Sequence, residues 1–402
     1  MLIAASKIIP ATGTLGGQGP ILAPGYLACE DGTITSVGTG PPPRRPDVEL
    51  SSGFLLPGLV DLQVNGYFGV ELGDAGADGW AEIVRRLPET GTTAFLPTFI
   101  TSPVAEMIAA LRRVAGFASG LAGNHDLVLP RSDPAGARVL GVHLEGPFIS
   151  AKRPGAHNPA WIIKPREETI DALLAAGSGL VRLVTLAPEL DGAMAAIKQL
   201  TAAGVLVSIG HSDATAQQAS AAATCGARMV THLFNAQRPM HHREPGVVGQ
   251  ALADKRLTSG LIADLHHVAG QVAAIAFLAA PGRICLVTDA AACAGMPEGS
   301  YILGGEPIDL SDGDGAPPVR ADGTLAGSVL RMDAAVANMV AAGVGLTEAV
   351  EAATRIPADL IGRPDLGRIT PGAAADVAWL SDDLAALATW VAGRQVYGPS
   401  LL

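Results

Sequence analysis

Eight times between residues 54 and 290 a short apolar run gives way to an Ala-rich helical segment or a loop, and this repetition constrains the fold more than any other feature. The runs are FLLPGLVDLQV (54–64), TTAFLPTFI (92–100), RVLGVHLEG (138–146), LVRLVTLAP (180–188), VLVSIGHSD (205–213), RMVTHLFN (228–235), LTSGLIADLHHV (257–268) and RICLVTDA (283–290). Apolar strands alternating with helices imply a parallel sheet covered on both faces. Eight such units suggest closure into a (β/α)8 TIM-like barrel, with an open doubly wound sheet as the rival.

Polar residues cluster at one place in these units. Asn65, Glu145, His211, His232, His267 and Asp289 stand at or just past the C-terminal ends of their runs. A barrel builds its active site on that face. Unpaired polar groups at the ends of buried strands are costly, so a row of them calls for a use.

The flanks differ in texture. Residues 1–52 hold short strand-like runs and turns, LIAASKI, GYLACEDG and TITSVG, with a Pro-rich PPPRRPD at 41–47. Helical patterns near 329–342 and 346–360 follow the eighth run and an intervening loop, and the strand-and-turn texture returns towards GRQVYG. The expected division is therefore 1–53 and 361–402 as two parts of one small β domain, with the barrel over 54–360.

Composition limits the partners. Hydrophobic residues make up 49% and charged residues 16%, enough for a large core, and the net charge of −11 opposes general affinity for nucleic acid or an anionic membrane. The four cysteines show no CxxC spacing, so neither a disulfide framework nor a thiolate zinc site is expected. No basic leader and no run of about 18 apolar residues is seen, which points to a cytoplasmic chain.

Glu145 is followed by Gly-Pro, a forced turn, and by itself is a metal ligand, a general base or an ion-paired structural group. His211 and His232 end two successive strands, and with Glu145 they make a His2Glu set of the kind that holds a catalytic divalent cation and leaves one position open. Ser212 or Asp213 is placed to cap the helix after His211. Asp289, ending the last strand, is either a turn former or the carboxylate that takes a proton from an activated water and returns it to a leaving group. The loop NAQRPMHHREPG (235–246) gathers Arg238, His241, His242 and Arg243, and KRPGAHNP (152–159) adds Lys152, Arg153 and His157. On an acidic chain these cations suit a phosphate or carboxylate, and His266-His267 adds another possible contact.

Six motifs in order, PGLVDLQVNG, HLEGPFISAKRPGAHNP, GHSDAT, THLFNAQRPMHHREPG, LVTDA and DGTLAGS, closely resemble the N-acetylglucosamine-6-phosphate deacetylases of the amidohydrolase superfamily. The resemblance spans nearly the whole chain. It implies an amidohydrolase-type distorted barrel with a small β-sandwich from both termini, and hydrolysis of N-acetylglucosamine 6-phosphate to glucosamine 6-phosphate and acetate. It implies Glu145, His211 and His232 as metal ligands and Asp289 as acid/base. It further implies His157, Asn235, Ala236, Arg243 and His267 as contacts to the sugar and its phosphate. A homodimer sharing phosphate contacts across its interface is implied as well. Zinc suits the donor set best, and iron, cobalt or manganese could occupy it. Many amidohydrolases end the first strand in His-x-His, ligands for a second metal. Here Gln63 and Asn65, weakly ligating amides, stand there, so one metal per subunit is expected. Two other readings remain open: a deacetylase of N-acetylgalactosamine 6-phosphate or a related acylated amino-sugar phosphate, and a non-catalytic relative that only binds.

Overall fold

The computed structural model describes residues 1–13, 19–117, 136–311 and 315–401. Eight parallel strands form the barrel: β1 (Leu59–Val64), β2 (Thr92–Ile100), β3 (Val142–Glu145), β4 (Val181–Leu186), β5 (Leu206–Ile209), β6 (Met229–Val230), β7 (Thr258–Ile262) and β8 (Ile284–Val287). Each of the eight expected runs supplies one. The order is sequential, β1-β2-β3-β4-β5-β6-β7-β8, and the short strand Arg138–Val139 adds to β2.

Closure between β8 and β1 is confined to their C-terminal ends. There Asp289 N–H donates to the Gln63 carbonyl at 2.9 Å and Asn65 N–H to the Ala290 carbonyl at 2.9 Å. The seam that nearly closes the barrel thus sets Gln63 and Asn65 beside Asp289. Outer helices seal the strands with apolar stripes. Ala193–Ala202 buries Ala193, Ala196, Ile197 and Leu200, a spacing that keeps one helical face against the sheet. Among the described residues no helix is long and apolar enough to cross a membrane.

Beside the barrel lie two four-stranded sheets. One is ordered Thr33–Thr39, Gly25–Glu30, Leu2–Ala5, Val48–Leu50; the other Arg394–Tyr397, Ala386–Val391, Val377–Leu380, Phe54–Pro57. Ile3, Ile8, Leu27, Leu55, Val377 and Trp390 form their common core. Both termini contribute, as the textures suggested.

The first apolar run proves to be two strands. Phe54–Pro57 pairs antiparallel with Val377–Leu380, whereas Leu59–Val64 pairs parallel with β2. Gly58 is the joint. A Cβ there would stand 2.0 Å from Thr93 Oγ1, so the chain crosses between sheets where only glycine fits. Continuous hydrophobicity hides this break, because both halves are buried.

The stretch after β8, expected as a loop, contains a hairpin, Gly299–Leu303 with Glu306–Leu310. Its Gly304-Gly305 turn has φ of +57° and +76°, and a Gly-Gly pair between alternating residues was the sequence signal for it. Thr215, not Ser212 or Asp213, caps the helix Ala216–Cys225, through a reciprocal capping box with Gln218. The earlier side chains are engaged elsewhere: Ser212 Oγ donates to Glu189 and Asp213 pairs with Arg153 and Arg238.

Candidate metal centre and active site

Three strand ends bring Glu145, His211 and His232 together, all buried. Glu145 Oε1 lies 3.2 Å from His211 Nε2 and 3.0 Å from His232 Nε2, and the two ring nitrogens are 3.0 Å apart. Ligands about 2.0–2.2 Å from a tetrahedral cation lie roughly 3.4 Å from one another, so the trio fits one cation closely. His211 Nδ1–H donates to the Arg153 carbonyl at 3.1 Å, which aims Nε2 inward as a cation ligand requires, whereas His232 Nδ1 is buried without a hydrogen-bond partner among the described residues.

The backbone bends to aim these groups. His211, His232 and Asp289 have φ of +45°, +28° and +52°. Left-handed backbone at non-glycine residues costs about 1–3 kcal/mol each and collects at functional sites. Here it turns each side chain from the strand end into the barrel mouth.

Charges shape one another strongly. Burial would raise the Glu145 pKa, but bonds to His211 and His232 hold its carboxyl well below the usual range. For His232, burial works downward, and the bonded Glu145 carboxylate with nearby Asp289 outweighs it and raises the group. Asp289 is pushed up to about 6, by burial first and then by the Glu145 charge. Burial, then the charge of His211, holds His157 well below its ordinary value. His157 Nδ1 accepts the Thr101 N–H at 3.2 Å, so its proton sits on Nε2 and faces Glu145.

The amides of the first strand have a definite use. Gln63 Nε2 donates to Glu145 Oε1 at 3.1 Å and to Asp289 Oδ1 at 3.0 Å, and Asn65 Nδ2 donates to the same Asp289 oxygen at 2.7 Å. Their N–H donors orient the two carboxylates. Asp61, in the same row, turns to Thr288, whose Oγ1 donates to it at 2.5 Å and whose N–H donates at 3.2 Å.

A cavity of about 250 Å³ opens over this cluster, a little below the usual range of roughly 300–1,000 Å³ for small-ligand pockets. Asn65, Glu145, His157, His211, His232, Asn235, Ala236, His267 and Asp289 all line it. His267 Nδ1 donates to Asp264 at 2.6 Å, which fixes the ring with Nε2 free of that bond. Arg243 is exposed on its loop, where its Nη1 donates to His242 Nε2 at 3.0 Å, and it does not line the cavity. Nor do Arg153, Arg238 and Lys152: Arg153 and Arg238 pair with Asp213 at 2.9 and 3.0 Å, and Lys152 lies 3.8 Å from it.

Two supporting residues escaped the sequence reading. Asp264 orients His267, and its place in ADLHH was the clue. His143 bridges Thr98 at 3.2 Å and Thr185 at 2.8 Å beneath Glu145. Its spacing of two from Glu145 on one strand already put both on the inner face.

Fold and site together define a barrel enzyme scaffold with a cluster able to hold a divalent cation at the C-terminal strand ends. Comparison with known proteins narrows this: the chain belongs to the amidohydrolase family, whose model matches residues 54–396. An N-acetylgalactosamine-6-phosphate deacetylase of Escherichia coli O157:H7 is 39% identical over 349 residues, 86% of this chain and 88% of that protein. An N-acetylglucosamine-6-phosphate deacetylase of Bos taurus is 39% identical over 356 residues, 85% of this chain and 83% of its own length. In three dimensions the chain resembles the N-acetyl-D-glucosamine-6-phosphate deacetylase of Mycobacterium smegmatis, solved in complex with N-acetyl-D-glucosamine-6-phosphate. The TM-score is 0.89 at 34% identity, covering 98% of this chain and 99% of that one. Membership of the family implies a divalent cation, and the Glu145/His211/His232 cluster accommodates one.

Proposed function

We propose that the chain hydrolyses N-acetyl-D-glucosamine 6-phosphate to D-glucosamine 6-phosphate and acetate. One observation carries the reading: a buried carboxylate, Asp289, held by two amides beside a three-donor cation site in a sugar-sized cavity. A cation held by Glu145, His211 and His232 would supply Lewis acidity to the amide carbonyl and the attacking water, and the His2Glu set suits zinc first. Asp289 accepts the proton of that water and passes it to the departing nitrogen. Its raised pKa places it nearer neutrality, where a group that both takes and gives a proton works best. Gln63 and Asn65 keep its Oδ1 fixed, leaving Oδ2 for proton transfer. With amides in the second position, one cation per chain is the proposed content.

His157 Nε2–H and His267 are placed to contact the sugar, and Asn235 and Ala236 to receive its phosphate end. No lysine or arginine among the described residues lines the cavity. The proposed assembly is therefore a homodimer in which Arg243 serves the partner's phosphate site. Val272, Ile275 and Leu278, exposed along the helix Gly270–Ala279, are the apolar face that supports a second copy.

The Escherichia coli relative favours a second reading, the galacto epimer. Comparing kcat/KM for the two N-acetylated sugar phosphates and for unphosphorylated N-acetylglucosamine tests both. The expected order is gluco-phosphate, galacto-phosphate, free sugar. Equal rates with and without phosphate would overturn the substrate class.

A further inference from the structure

A second hollow of about 80 Å³ adjoins the active-site cavity, and the two share Asn65, Ile100 and Leu303 as wall. Ile100 ends β2 and pairs directly with Glu145 of β3, so its side chain stands next to the cation site. Leu303 ends the first strand of the Gly299–Leu310 hairpin and packs in one apolar cluster with Ile100. The hairpin tip is pressed onto Ile100: a Cβ on Gly304 would lie 2.4 Å from Ile100 Cδ1. Glu71 holds the tip there by accepting the Gly304 N–H at 2.5 Å. Behind the wall the second hollow is lined by Met107, Ala110 and Trp161, with Glu71, Asp74 and Glu106 at its edge.

The substrate's direction follows from strand order and rests on the function proposed above. Asn235, Ala236 and His267 lie on the β6–β7 side of the mouth, whereas Asn65 and Ile100 lie on the β1–β2 side. With the sugar phosphate at the first and the carbonyl at the cation site, the acyl substituent points to the second.

We propose that Ile100 and Leu303 form the gate that limits the acyl group to acetyl, and that the hollow behind them receives longer neutral acyl chains once the gate is trimmed. The chemistry is unchanged: water adds to the amide, the C–N bond breaks, and a longer carboxylate leaves with the same amine. The acidic edge of the hollow makes it reject a chain that ends in a carboxylate.

The test compares kcat/KM on N-acetyl-, N-propionyl-, N-butyryl- and N-succinyl-glucosamine 6-phosphate. Wild type should prefer acetyl over butyryl by ~100-fold or more, above the ~10-fold minimum for one methylene in an apolar pocket. Leu303→Ala should shrink that preference by ~10-fold and leave the succinyl compound a poor substrate. Adding Ala110→Leu, which fills the hollow, should restore the wild-type ratio. Calorimetric binding of the N-butyryl compound to metal-free protein should tighten in Leu303→Ala and weaken again in the double variant. An unchanged butyryl/acetyl ratio in folded Leu303→Ala overturns the gate. Should that variant not fold, Ile100→Val must raise the propionyl/acetyl ratio, and an unchanged ratio overturns the gate equally. Absence of hydrolysis of every N-acyl compound by metal-loaded wild type overturns the functional reading itself, and the gate with it.

Discussion

Replacing Asp289 by asparagine separates catalysis from folding, and the two effects should run in opposite directions. The amide oxygen of the replacement can keep both donors that Asp289 Oδ1 holds, Gln63 Nε2 at 3.0 Å and Asn65 Nδ2 at 2.7 Å, so the seam between β8 and β1 should persist. What is lost is the proposed proton carrier. General acid–base catalysis contributes about 10²–10⁴-fold, or about 3–5 kcal/mol of barrier, and acetate release at saturating cation should fall by that factor. Stability of the metal-free protein should instead rise. Burial and the Glu145 charge lift Asp289 from 3.8 to about 6, so the native state holds a proton that the unfolded chain has released between those values. The wild type therefore loses stability as pH climbs from 3.8 to about 6 and bears the full cost above that, at most about 3 kcal/mol. The asparagine carries no such cost. Acetate release at matched metal content, with thermal unfolding of the metal-free proteins at about pH 4 and about pH 8, reads both effects. Activity within tenfold of wild type, or a variant less stable than wild type at the higher pH, would refute the reasoning.

Other sites give further expectations. Arg138→Ala strands Asp376, only 2% exposed, at the joint between the barrel and the small sheets. Chemical denaturation should show a loss of about 3 kcal/mol, the low end for a broken buried pair, because Ala392 N–H still serves the carboxylate. Glu71 is pushed up to about 7 mainly by burial, so wild-type stability should decline as pH rises from 4.5 to about 7. Glu71→Gln keeps an acceptor for Gly304 and should gain on wild type across that window, by about 1–2 kcal/mol after allowance for partial exposure, as melting temperatures at stepped pH would show. Thr215→Ala removes the cap that accepts the Gln218 N–H and should cost about 1 kcal/mol in unfolding experiments.

Much of the fold was legible because buried parallel strands announce themselves as apolar runs, and their polar ends marked the active face. On that ground alone Glu145, His211, His232 and Asp289 were expected to share one face, and the fold brings them to one cavity. Pairing was not. Nothing local in FLLPGLVDLQV says that its halves join different sheets, since the Gly58–Thr93 approach is a tertiary contact. Arg153 and Arg238 read as free cations until the fold set Asp213 between them. Alternation put Gln63 and Asn65 on one face, but their aim at Glu145 and Asp289 depends on strand β8 closing against them. His143 and Asp264 act through other side chains, and such roles leave only a weak trace in sequence.

The central claim, a single cation held by Glu145, His211 and His232 that enables deacetylation, is tested most directly by titrating metal-free protein with zinc. Acetate release from N-acetylglucosamine 6-phosphate should rise linearly and break sharply at one equivalent per chain. A break at two equivalents, or full activity before any zinc is added, would contradict it.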